Sequence, residues 1–147
     1  MDPRKALTAM AGARIGIGAC LIALPGLAGR AWIGKPAKQV PSKAALRAVG
    51  GRDIAIGLGT VIAATRNQPL TGWVVAGALA DGSDAVATVA AWDHLPATRL
   101  PILVTALATV AAEVALGVQI AANKAPGANP KHPGKIGVAA GREAAGR

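Results

Sequence analysis

The chain has 147 residues, enough for one domain, and a formal net charge of +9. Its basic residues have no aromatic residues interleaved with them and form no recognition motif, which weighs against nucleic acid as a partner. Hydrophobic residues make up 52% of it, aromatic residues only 2%, and 19 residues are glycine. A soluble core of this size normally buries aromatic rings, whereas small residues at this density suit helices that pack closely in lipid.

Four long apolar runs predict an all-α, integral membrane four-helix bundle. No strict alternation competes with the helical pattern, although a soluble Ala-rich bundle is an alternative because the runs are only moderately apolar. We expect a membrane domain at 1–123, with spans at about 6–28, 44–65, 70–92 and 100–122. Residues 124–147 are rich in Gly, Pro and Lys without apolar periodicity, which predicts a disordered tail.

The first span follows Arg4 and Lys5 and therefore looks like the start of a secretory signal. Arg14 interrupts the apolar run, and no clean cleavage site follows it, so we expect a retained helix. Gly12 and Gly16 form a G-x-x-x-G pair, a close-packing motif in lipid that is weak evidence in so Gly-rich a chain.

A polar connection at 30–42 separates the first two spans, and Ser42 is the expected N-cap of the second. Lysines in and directly after this connection are expected to contact anionic lipid headgroups; they are Lys35, Lys38 and Lys43.

The third span ends before Pro96, and Pro101 suits the first turn of the fourth span. Four spans place both termini on one side of a multi-pass protein, which we assign to the plasma membrane, but the basic residues are too evenly divided to set its orientation. The three tryptophans, Trp32, Trp73 and Trp92, lie at or near span ends, as expected at a membrane boundary.

Charged residues lie inside every predicted span, where an unpaired charge costs several kcal/mol. Each acidic residue shares a helix face with Gly, Ala or Thr, so we expect these faces to point inward. Depth predicts a structural ion pair between Arg14 and Glu113. It also predicts a network of Arg52, Asp53, Asp81 and Asp84, with Arg52 bound to Asp84 or Asp81.

The segment Arg47-Ala48-Val49-Gly50-Gly51-Arg52-Asp53-Ile54-Ala55-Ile56-Gly57, followed by Asp81, resembles a family of small actinobacterial integral membrane proteins. The family pattern is approximately R-x-x-G-x-R-D-x-x-x-G, with an acid in the next span. The resemblance covers about 6–122. It implies a four-helix fold and singles out Arg47, Arg52, Asp53 and Asp81, but it implies no chemistry.

Four interpretations of the charges remain open. The first is that the charges only fix helix packing. The second, which is the favoured function, is that they bind an anionic lipid or a membrane partner; the residues would be Arg47, Arg52, Asp53, Asp81 and Asp84. A third is a Mg²⁺-dependent enzyme acting on a lipid or polyprenyl phosphate, with the ion held by Asp81 and Asp84. The fourth is a proton or ion path, or an accessory subunit in a homo-oligomer or larger membrane complex.

Conventional catalytic patterns are missing from the sequence, which weighs against an enzyme. There is no G-x-S-x-G, no Walker loop and no cluster of His or Cys. The lone Cys20 lies in an apolar run, where a small buried side chain is the simplest interpretation.

Overall fold

The computed structural model describes residues 2–124, which form helices and turns throughout. The long helices are α1 (Pro3–Ala23), α4 (Val40–Thr65), α5 (Thr71–Ala90) and α6 (Arg99–Lys124). Between α1 and α4 lie two short helices, α2 (Pro25–Ala28) and α3 (Arg30–Ile33), and a 3₁₀ turn at Lys35–Lys38. The all-helical class is therefore as predicted, whereas the expected tail lies outside the described residues except for Lys124.

The first helix ends earlier than the predicted span, at Ala23 rather than near residue 28. Pro25 disfavours helical backbone at the residue before it, and Leu24 has φ −129° and ψ 53°. The apolar run continues past this break as α2, so hydropathy alone overestimated the length of α1.

The second long helix begins at Val40, so the prediction that Ser42 caps it is wrong. Gln39 occupies the N-cap position, with no side-chain hydrogen bond to the helix. Pro41 lies in the first turn, where its missing N–H leaves no hydrogen bond unmade. The other two predicted spans agree with α5 and α6 to within two residues at each end.

Helices α1 and α4 form the closest pair, and glycine makes the approach possible. A Cβ built on Gly50 would lie 2.6 Å from the carbonyl oxygen of Gly18, and one built on Gly18 would lie 2.6 Å from that of Gly50. Gly57 fits in the same way against the carbonyl of Ala11. The G-x-x-x-G pair is not at this interface, because Gly12 and Gly16 face open space.

Buried polar groups lie between two apolar clusters. One cluster consists of Leu7, Ala63, Leu70, Val74 and Ile120, and the other of Leu21, Ala37 and Leu46. On α1, Leu7, Arg14 and Leu21 are seven residues apart and all buried, so one face places an arginine between two leucines. The charges therefore lie between the two apolar clusters along the helices.

Large apolar side chains are exposed on the long helices. Leu79 and Val86 of α5 and Leu107 and Val118 of α6 are each more than half exposed. Three helices, α1, α4 and α6, are long and apolar enough to cross a membrane. The fourth long helix, α5, carries Asp81 and Asp84 in its centre and does not meet that standard.

Candidate functional site

Arg14 is the centre of a buried charged network that joins all four long helices. Its guanidinium binds Asp81 of α5 through two hydrogen bonds, of 3.0 and 2.7 Å. Its Nη2 also donates to Glu113 Oε1 of α6 at 2.7 Å. The carboxylate of Asp53 in α4 lies 3.6 Å from Nη1. One arginine thus connects three carboxylates from three other helices, whereas the sequence assigned it a single partner.

Arg52 extends the network on α4. It makes five hydrogen bonds, two to Asp53, two to Asp84 and one to the carbonyl of Ala80. A guanidinium has five N–H donors, so Arg52 has none left for another acceptor. Its paired hydrogen bonds to both oxygens of Asp84 form one of the two ion pairs, with Asp84 or with Asp81, that residue depth predicted.

Glu113 owes its position to a glycine on the facing helix. A Cβ on Gly77 would lie 2.5 Å from Glu113 Oε1 and 2.6 Å from Oε2, so any other residue at this position would force the carboxylate to shift. The Glu113 side chain is 8% exposed. Its Oε1 accepts from Arg14, but Oε2 is buried and has no hydrogen-bond partner among the described residues. A buried acceptor without a hydrogen-bond partner costs folding free energy, and the cost is larger when the acceptor belongs to a charged group, as here.

A lateral pocket of about 660 Å³ opens between α1 and α6 and ends at the charged network. It forms because α1 packs far less extensively on α6 than on α4. Apolar side chains line most of it, among them Met10, Ile17, Trp32, Ile102 and Ala106. Since Ile17 is 58% exposed, the pocket is a groove open at the side of the bundle.

The inner end of the pocket is acidic. Asp53, Asp81, Asp84 and Glu113 all line it, together with Arg14. The whole network has four carboxylates and two guanidinium groups, which leaves two excess negative charges when all are ionised. Thr105 and Thr109, also on the lining, donate their hydroxyl protons to carbonyls of their own helix. The groups at this end of the pocket that can still form hydrogen bonds are therefore mainly acceptors.

The remaining predicted site residues lie outside this network. Arg47 is exposed on α4 and donates from Nε to the carbonyl of Ile22 at 3.2 Å. Lys35 and Lys38 are exposed in the connection before α4, and Lys43 is half-buried in its first turns. Their contacts with headgroups and the ligand-binding role of Arg47 stay predictions.

Asp81 and Asp84, the proposed Mg²⁺ ligands, are each paired with a different arginine. Asp81 binds Arg14 and Asp84 binds Arg52, in each case through both carboxylate oxygens. Within residues 2–124, no group of three or more His, Cys, Asp or Glu side chains is arranged to hold a metal ion. The two carboxylates are thus engaged by arginines.

The walls of the pocket were missed by the sequence analysis. Trp32 was assigned to the membrane boundary, but it is half-buried and donates from Nε1 to Thr88 at 3.0 Å while lining the pocket. Ala106 resembles every other alanine of α6 in sequence. The helix-breaking Pro25, which turns the chain towards Trp32, was the one available signal.

Comparison of the chain with family models, with curated proteins and with solved structures finds no match. The resemblance built on Arg47, Arg52, Asp53 and Asp81 therefore stays a prediction, and the site is interpreted from its own geometry.

Proposed function

We propose that this is a multi-pass protein of the plasma membrane that binds an amphiphilic molecule, taken from the bilayer, in its lateral pocket. In this proposal all four long helices cross the membrane as a bundle. The two carboxylates of α5 enter lipid because Arg14 and Arg52 neutralise them.

The pocket itself is the observation that supports the proposal most strongly. Its volume of about 660 Å³ falls within the roughly 300–1,000 Å³ typical of ligand sites. Apolar walls suit an acyl or alkyl chain, and the charged inner end suits a polar group. The proposed contacts for anionic headgroups at the membrane surface remain Lys35, Lys38 and Lys43. Exposed Arg47 joins them, since Arg52 is saturated by its own carboxylates.

Binding without chemical turnover fits the site best. The side chains near the inner end are tied in reciprocal ion pairs, and Asp81 and Asp84 are held apart by different arginines. A charge network of this kind also fixes helix register, so the structural role and the binding role are compatible.

Native mass spectrometry of the protein in mild detergent tests the proposal. The variant Ala106→Phe places a ring in the pocket, whereas Ala108→Phe adds the same ring to an exposed face of α6. We expect a bound lipid-sized mass on the wild type and on Ala108→Phe, and its loss from Ala106→Phe. Equal occupancy in all three would show that any bound lipid lies elsewhere and would reject the proposal.

A further inference from the structure

We infer that the polar end of the ligand is a protonated amine that donates a hydrogen bond to Glu113 Oε2 at the inner end of the lateral pocket. This inference rests on the proposed function and specifies the chemical class of the ligand. It also reverses the charge expected from the sequence, which pointed to an anionic group.

The unpaired oxygen of Glu113 supports this inference. Glu113 is buried, its Oε1 is held by Arg14, and its Oε2 has no donor within residues 2–124. Glu113 also lines the pocket, so a ligand in the pocket lies beside this residue. A donor on the ligand would remove the penalty of the buried, unsatisfied acceptor.

The balance of hydrogen-bond donors and acceptors around the pocket also favours a cationic donor. Among the residues that line the pocket, Trp32 donates to Thr88, the hydroxyl protons of Thr105 and Thr109 are engaged within α6, and Arg14 uses three of its five donors on Asp81 and Glu113. An anionic group would meet only the remaining donors of Arg14 and an excess of carboxylates. A cationic donor would find acceptors and a favourable charge.

A small void of about 10 Å³, also lined by Glu113 and by Thr60, offers a competing explanation. Its size is near the lower limit for one water molecule, and such a water would satisfy Oε2 without any ligand. The two explanations differ in their consequence, because a water gives the pocket no preference for an amine.

Titration in maltoside micelles, followed by native mass spectrometry, separates these cases with three probes of equal chain length: dodecylamine, dodecanol and dodecanoate. We expect wild-type protein to bind dodecylamine at least about tenfold more tightly than dodecanol, with dodecanoate weakest. In Glu113→Gln, this amine preference should fall to about threefold or less. In Asp93→Asn, which removes an exposed acid between α5 and α6, it should persist.

Equal binding of the three probes, or a preference for dodecanoate, would overturn the inference and leave the lateral pocket as an amphiphile site. Failure of every probe to bind would reject the proposed function as well. The wild-type comparison holds even if Glu113→Gln does not fold. Dodecylphosphoethanolamine then identifies the source: binding as tight as that of dodecylamine indicates an amine-bearing lipid, and weaker binding a free amphiphilic amine.

Discussion

Gly77 is predicted to control the position of the buried Glu113 carboxylate, and Gly77→Ala is the perturbation that tests it. The added Cβ would lie 2.5 Å from Oε1, whereas ordinary contact begins at about 3.4 Å. The carboxylate must move by most of that difference, and its 2.7 Å bond from Arg14 is then lost. Loss of a hydrogen bond between charged groups costs about 1.5–3 kcal/mol.

The matched control is Gly82→Ala, because Gly82 lies on the same helix with nothing within 4 Å of its added Cβ. Both substitutions gain helix propensity, about 1 kcal/mol for glycine to alanine, so that contribution cancels between them. We therefore expect Gly77→Ala to be about 1.5–3 kcal/mol less stable than Gly82→Ala. The free energy of unfolding is measured by titrating mild-detergent micelles with dodecyl sulfate and following helical circular dichroism.

A double-mutant cycle identifies the contact. In a Glu113→Ala background the carboxylate is absent, so Gly77→Ala should no longer destabilise relative to Gly82→Ala. Equal stability of the two glycine variants in the otherwise wild-type protein would refute the reasoning, since it would mean that Glu113 does not pack against Gly77.

Three further predictions concern the helix contacts and the network. Gly50→Ala should destabilise by about 1–3 kcal/mol because its Cβ meets backbone of α1, whereas Gly51→Ala, which meets nothing, should be neutral or stabilising in the same unfolding titration. Arg14→Lys should lose about 1.5–3 kcal/mol, because an ammonium cannot form the forked pair; unchanged stability would contradict the network. Thr98→Val removes a hydrogen bond to the carbonyl of Ala31 and should speed amide exchange in α3 by about two- to tenfold, without changing exchange in α4.

The charged faces of the helices were predictable from the sequence. A charge among apolar residues must be buried with a partner, and helical spacing then identifies the buried face. On α4 helical spacing selected Gly50, Asp53, Gly57, Thr60 and Ala64; the first four are buried, and Ala64 is partly buried. The approximate depth of Arg14 and Glu113 followed from counting residues in alternating helices.

The exact partners and the pocket were not predictable in this way. Arg14 meets Asp81, Asp53 and Glu113 because the crossing of α1 and α4 at Gly18 and Gly50 sets the depth of the guanidinium. Hydropathy says nothing about where helices cross. The pocket depends on a gap between α1 and α6, and a gap leaves no periodic signal in either helix.

In the proposed complex the ligand chain lies between α1 and α6. Nuclear Overhauser effects between the ligand and the protein, measured in deuterated micelles, test this position directly. Protonated dodecylamine is added to protein labelled at its alanine methyl groups. We expect strong effects at Ala13 and Ala106, which line the pocket, and weak effects at Ala108, which is exposed outside it. Effects at Ala108 as strong as those at Ala106 would show only general contact with the micelle-facing surface and would contradict the account.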